Sequence, residues 1–504
     1  NKKMKSVNII GAGIAGLSAG CYLQMNGYKT RIFELHNMPG GLCCAWERGN
    51  YTFEGCIHWL VGSHPKSTFY PMWNELIDMK KQKFYDHEIY ATAYDENNNS
   101  ISFYTDVDKL ESELLQKAPE DQVFIKAFIK SIRKMSGLKM DPAKARELMN
   151  FWDRIKMMFA FIPYMSDINK WNKKTSEVAE SIHNPLLKKA IYNSFDPDMA
   201  FIFMIFTLAW MNNKEAGYPI GGSLALARQI EKRYLDLGGE LHYHNRIEKI
   251  ATERENGKEK AKGVVTSKGE EFPADITISA ADGHDTLFHM LDGNFMDERK
   301  KHFYDHQITF PSYFQVSLGV NRDLSNQNNM QLFPLKKPIR FDPETEHDLL
   351  GMRIMNEDPG LSPEGKSMII LMIPCRNHEY WVKLRKEKLE QYKTEKVRIA
   401  NEVIEAVDHW LGDIKSKVEE IDVSTPATVI RYTNNWKGSY EGWIMTPEIG
   451  MKPLEKTLPG LKDFYMIGQW IEPGGGLPTA LKSGRDVVQM ICKKDRKKFR
   501  SDHF

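Results

Sequence analysis

The stretch from Ser6 to Glu34 constrains this chain more than any other part of it. Ser6 to Ile10 reads as a buried strand, Ile14 to Asn26 as a helix stopped by Gly27, and Lys29 to Leu35 as a second strand with apolar residues at alternate positions. Gly11, Gly13 and Gly16 fall between strand and helix, Gly20 lies one turn further on, and Glu34 closes the second strand. Gly11 permits a tight turn, Gly13 lets a pyrophosphate touch the backbone, and Gly16 with Gly20 lets the helix lie close on a sheet. The helix start, at Ile14 and Ala15, then turns its positive end to the phosphates. Glu34 can accept from both ribose hydroxyls, which argues against a 2′-phosphate and hence against NADP. The fold class is α/β, opening on half of a Rossmann unit, and the cofactor is FAD or NAD.

The continuation separates these two. Pro39, Gly40 and Gly41 follow Glu34 and Leu35 closely, and Gly49 to His58 (GNYTFEGCIH) brings further glycines. NAD folds do not need that second loop. Gly40 and Gly41 can bring backbone N–H groups onto the far side of a pyrophosphate, and Gly55 lets the backbone leading to Ile57 and His58 approach a ring system. Near the C-terminal end, Phe464 to Ile467 reads as a short buried strand and Gly468 permits another backbone approach. Pro473 to Gly476 form a loop before a helix that carries Leu477 and Pro478 in its first turn, so a second positive helix end meets the cofactor.

Four separated segments resemble the flavin amine-oxidase-like superfamily and, within it, the phytoene desaturase and retinol saturase group. They are Val7 to Glu34 with Pro39 to Leu42, Thr52 to Gly62, Tyr218 to Arg246 running on to Asp282, and Phe464 to Arg485. The resemblance implies a Rossmann-type FAD-binding domain of residues 1–75, 205–285 and 441–504, interleaved with a helical insertion, 76–204, and a mixed-sheet substrate-binding domain, 286–440. It implies noncovalent FAD held by Gly11, Gly13, Ile14, Ala15, Gly16, Glu34, Leu35, Gly40, Gly41, Leu42, Ile57, His58, Ile247, Ala281, Gly468, Gly475, Gly476, Leu477 and Pro478. The loop before Leu477 would lie under the flavin, where the helix dipole stabilises negative charge on the reduced ring. The chain departs from the pattern after the Gly-Gly pair, where many relatives place Arg and this sequence has Leu42, Cys43 and Cys44. Cys43, Cys44 and Cys56 read as small buried hydrophobes, and no metal is assigned.

Composition closes off other classes. The 69 Lys and Arg against 67 Asp and Glu leave a net charge of +2 and no general drive towards nucleic acid. A hydrophobic fraction of 41% and a mean hydropathy of −0.49 fit a soluble enzyme of more than one domain. The longest apolar stretch, Met199 to Met211, falls short of the roughly 20 residues that span a bilayer. With no secretory signal and no C-x-x-C pair among six cysteines, the expected location is the cytoplasm. Six basic residues of the tail, Lys493, Lys494, Arg496, Lys497, Lys498 and Arg500, read equally as a solvated helix end or as a weak peripheral contact with an anionic membrane.

Elsewhere the reading is coarser. Met157 to Met165 and Met199 to Met211 read as core that could also wall a site for a long apolar ligand. Ser312 to Val320, Gly351 to Met355 and Ser367 to Pro374 read as strands, and Glu379 to Leu411 as one amphipathic helix. His242 and His244 are expected on one solvated strand face.

The resemblance implies an FAD-dependent oxidoreductase acting on carbon–carbon double bonds of a lipid-like molecule, with saturation preferred and desaturation or isomerisation sharing the same geometry. A second dinucleotide fingerprint is absent, so electrons would come from a separate donor. Amine oxidation, or a non-catalytic role like that of Rab GDP-dissociation inhibitors, are the alternatives. Hydride transfer to an alkene also needs a proton, for which His58 is the expected acid and Glu472, beside a positive helix end, the candidate base.

Overall fold

The computed structural model describes residues 4–450 and 452–504. A five-stranded parallel sheet carries the site, in the order Glu240–His242, Lys29–Phe33, Ser6–Ile10, Ile276–Ser279, Phe464–Met466. Parallel neighbours need long crossovers, so these strands are drawn from three distant stretches of chain. Helices cover the sheet, which is why its strands read as apolar runs, with Val7, Ile9, Ile32, Ile276 and Ile278 all buried. Ile14–Met25 and Leu477–Lys494 pack so closely that a Cβ on Gly484 would stand 2.6 Å from the Ala15 carbonyl oxygen.

A second sheet runs Ile247–Glu255, Lys258–Thr266, Glu271–Pro273, with Leu461–Lys462 beside the middle strand. The third sheet has seven strands, ordered Val418–Ser424, Ser312–Val320, Ser367–Cys375, Thr345–Ile354, Met330–Asp342, Ile89–Tyr94, Ser100–Tyr104. Ser312–Val320 is buried at every position because helices cover one face of this sheet and the first domain lies against the other.

Several expectations change on folding. The 76–204 stretch is not wholly helical, since the hairpin Ile89–Tyr94 and Ser100–Tyr104 joins the third sheet. Ala93, Ile101 and Phe103 of that hairpin pack into one core with helices Val107–Lys117 and Gln122–Met135. The expected single helix over Glu379 to Leu411 is two, His378–Glu387 and Leu389–Leu411, broken where Lys388 leaves helical geometry at φ −139°. His242 and His244 do not share a strand face. His242 ends its strand with its ring stacked 5.2 Å from Phe33, and His244 sits in a turn at φ +54°. Met199 to Met211 becomes the buried helix Ile202–Asn212. Met157 to Met165 does not become core: among the described residues, none in the helix Phe151–Phe161 is buried. Among the described residues, no helix is long and apolar enough to cross a membrane.

Candidate active site

One cavity of about 1240 Å³ runs from the glycine turn of the parallel sheet to the buried helix Ile202–Asn212. Every residue named from sequence for the cofactor or the proton borders it except Gly16. Gly16 lies behind the turn, where a Cβ would stand 2.0 Å from the Gly11 carbonyl oxygen. Its glycine serves packing. Gly13 differs, because the nearest atom to a Cβ there is the Gly40 carbonyl oxygen at 4.0 Å and the rest of the space is open cavity. The two glycine loops meet here, with the Gly40 N–H donating to the Ala12 carbonyl at 2.8 Å. Glu34 is buried with one oxygen accepting from Ala12 N–H and the other from His36 N–H, each at 2.8 Å. Burial raises its pKa and those N–H groups oppose the rise. The backbone thus orients the carboxyl before any ribose arrives.

The loop carrying Ile57 and His58 is clamped by residues that sequence reading did not single out. Glu54 is buried at the end of the strand Tyr51–Glu54 and accepts from Gly55 and Cys56 N–H at 3.0 Å each, from Ser223 N–H at 2.8 Å and from the Ser223 hydroxyl. Ser223 Oγ in turn accepts from Ile57 N–H at 2.9 Å. From the third sheet, buried Arg353 donates to the Ile57 carbonyl at 2.7 Å while forking onto Glu357 at 2.9 and 2.5 Å. A loop held from both sides in this way presents its backbone at a set position.

Electrostatics redistribute the proton roles expected from sequence. His58 lines the cavity, but burial, then the charge of Arg353 and of His87, hold its imidazole well below the usual range. It stays neutral near pH 7, so the expectation that His58 exchanges protons there as an acid is corrected. Glu472 also lines the cavity, with its carboxylate paired to Lys456 Nζ at 2.9 Å, and the same ammonium holds Glu147 at 2.8 Å. Lys456 is buried and its pKa is raised by both carboxylates, so Glu472 is occupied in a structural tie.

Two other carboxyls that border the cavity are pushed towards neutrality. Glu441 borders the cavity beside the glycine loop, where a Cβ on Gly475 would lie 3.0 Å from its own Cβ, and burial pushes it up to about 7. Asp282 is also pushed up to about 7 by burial, against the N–H groups of Asp285 and Trp436 that it accepts at 2.7 Å each. The sequence signal for Glu441 was a lone acid between Tyr440 and Gly442 in the return to the last strand, which shows nothing about burial. The cavity lining also includes the apolar residues Trp59, Phe69, Met199, Phe203, Phe206 and Trp210. Of the cysteines, Cys43 is buried with its Sγ 3.4 Å from the Ser223 carbonyl oxygen, and Cys44 and Cys56 border the cavity.

The family profile for flavin containing amine oxidoreductases matches residues 14–492. The chain belongs to that family. As a member it is an FAD-dependent oxidoreductase. It is similar to a chloroplastic prolycopene isomerase of Daucus carota, 24% identical over 94% of this chain and 78% of the relative. A 4,4′-diapophytoene desaturase of Methylomonas is 23% identical over 98% of this chain and 97% of its own. Among solved structures, an oxidoreductase from Methanosarcina mazei superposes with a TM-score of 0.60 at 16% identity, over 96% of this chain and 100% of the other. A redesigned putrescine oxidase gives 0.60 at 11% identity, over 97% and 99%. These two likenesses carry the fold. The residues present fit FAD. The open side of Gly13 admits a pyrophosphate, Glu34 is pre-oriented, and the helix Leu477–Lys494 starts at the cavity wall with Gly476 as its N-cap.

Proposed function

We propose that this oxidoreductase acts on carbon–carbon double bonds of a long, apolar, isoprenoid-like substrate, with saturation as the preferred direction. The observation that carries the reading is the apolar chamber of Trp59, Phe69, Met199, Phe203, Phe206 and Trp210, continuous with the dinucleotide cradle. Burial at about 25 cal/mol per Å² can hold such a molecule without charged anchors. Similarity to a prolycopene isomerase favours double-bond isomerisation as the second reading.

We assign FAD to the cradle residues named above, Gly11, Gly13, Ile14, Ala15, Glu34, Leu35, Gly40, Gly41, Leu42, Ile57, His58, Ile247, Ala281, Gly468, Gly475, Gly476, Leu477 and Pro478, with Gly16 acting through packing. Bound FAD supplies hydride exchange with a substrate carbon. What the chain adds is a proton at the neighbouring carbon. We assign that proton to Glu441, whose carboxyl, pushed up to about 7, is populated in both forms near neutrality. His58 contributes wall and backbone position, and Glu472 holds its loop through Lys456. The domain division of residues 1–75, 205–285 and 441–504 for FAD, 76–204 for the insertion and 286–440 for substrate is retained, with hairpin 89–104 counted in the substrate sheet. Electrons come from a separate donor in this scheme.

The test has two steps. The purified protein should be yellow, and its reduced flavin should be reoxidised by an unsaturated isoprenoid with no other oxidant present. Rapid reduction of the oxidised flavin by small primary amines, with no response to any polyene, would replace this reading with amine oxidation.

A further inference from the structure

The insertion exposes an apolar surface that the fold leaves uncovered. In the helix Phe151–Phe161, Phe151 is 69% exposed, Trp152 73% and Phe159 62%, and the run continues through exposed Ile162 and Met165. Asn150 and Asp153 close a capping box at its start, so the helix is specified locally. Eleven residues are too few for a stable isolated helix, and such helices ordinarily gain their stability by packing an apolar face. Among the described residues, none of that helix is buried.

Its surroundings indicate what covers it. From residue 139 to 174 the chain has eight Lys and Arg against four Asp and Glu. Three of those acids are held, Glu147 by Lys456, Asp153 by Lys144 and Asp167 by Lys134, and of the basic residues Lys139, Lys144, Arg146 and Lys174 are paired with Glu215, Asp153, Glu455 and Asp198. Arg154 and Lys156 stand exposed on the apolar helix itself, and Lys170 and Lys173 are exposed just beyond it. An apolar face fringed by basic residues complements an anionic leaflet. Two copies meeting through it would oppose like charges.

The segment that carries the surface meets the cavity region at both ends. Met140, upstream of the helix, lines the cavity, and Glu147 is tied through Lys456 to Glu472 on its wall. On the downstream side, Asn172 donates to the Pro447 carbonyl at 3.2 Å, two residues from Met445 of the same wall. The exposed helix is therefore a bracket with both feet beside the cavity. The basic tail is placed differently: Lys494 pairs with Asp463 at 2.6 Å, Lys497 Nζ sits 4.1 Å from the centre of the Tyr28 ring, and Arg500 N–H donates to Asn26.

We propose that residues 151–165 form a docking surface for an anionic lipid bilayer, which seats the cavity against the membrane. The cargo it delivers rests on the isoprenoid reading, but the docking does not. The experiment is co-sedimentation of the full, flavin-loaded chain with phosphatidylcholine vesicles, with and without phosphatidylglycerol. Binding is expected with phosphatidylglycerol and should weaken as salt is raised. Trp152→Ser with Phe159→Ser should lower partition by about tenfold or more while flavin content and melting stay unchanged. Arg496→Ser with Lys498→Ser in the tail should bind as the parent does. The proposal is overturned if the parent stays in the supernatant with both vesicles, or if the helix variant sediments as the parent does. It is also overturned if the tail variant alone loses binding, or if light scattering in lipid-free buffer finds a dimer that the helix variant dissociates. Vesicle binding together with inertness towards polyenes would remove the isoprenoid reading and leave the docking surface standing.

Discussion

Gly13 and Gly16 separate space kept for a ligand from space kept for packing, and an alanine at each makes the distinction measurable. At Gly16 the added methyl would lie 2.0 Å from the Gly11 carbonyl oxygen, more than an ångström inside normal contact, and that neighbour is backbone. The helix Ile14–Met25 would have to lift from the turn, at a cost in the range of overpacked cores, about 1 to 3 kcal/mol or more. At Gly13 the methyl meets nothing nearer than 4.0 Å, and its φ of −68° suits alanine, so the fold tolerates it. The loss falls on the cofactor, whose pyrophosphate needs that volume to reach the helix N–H groups. One or two charge-assisted hydrogen bonds at roughly 1.5 to 3 kcal/mol each correspond to a weakening of about tenfold to more than a thousandfold. Flavin titration and thermal melting of flavin-depleted protein give the two readouts. Gly13→Ala should melt with the parent and bind FAD poorly, whereas Gly16→Ala should melt lower. Equal FAD affinity in Gly13→Ala and the parent, or equal melting of the two variants below the parent, would refute the division.

The other two predictions concern half-buried Glu441 and buried Glu54. Glu441 is raised from about 4.5 to about 7, so the stability it contributes is present below its unfolded pKa and is lost as pH rises through about 7. Glu441→Gln removes that loss, so melting of the parent should fall relative to the variant between about pH 5 and pH 8, by about 3 kcal/mol at most and nearer 1 to 2 with water in the cavity. Parallel melting curves across that range would leave Glu441 with its ordinary pKa and without the proton role. Glu54→Gln leaves the amide one acceptor oxygen for three N–H groups and a hydroxyl, so the loop through Ile57 should loosen at a cost of roughly 1 to 3 kcal/mol. Hydrogen exchange at Gly55 and Cys56 should rise in that variant, and unchanged protection would show that Ser223 and Arg353 hold the loop without the Glu54 carboxylate.

Local rules made the nucleotide half legible. The turn at Gly11, the helix from Ile14, the acid at Glu34 and the loop before Leu477 follow from backbone freedom and helix polarity, which act over a few residues. Ser312–Val320 keeps the bounds read from sequence, because Phe314, Val316, Leu318 and Val320 alternate along it and pack into one core. Hidden from sequence was whatever depends on which distant segment lies opposite. Met199 to Met211 and Met157 to Met165 are equally greasy, yet the first lines a cavity and the second faces outward, because the first is buried by its tertiary neighbours and the second is not. For the same reason His58 loses the proton role expected of it, and the role proposed for Glu441 had no counterpart in the sequence reading. A side chain's pKa is set by burial and by neighbours such as Arg353 and His87, which lie far along the chain from His58 and meet it only when the sheets assemble.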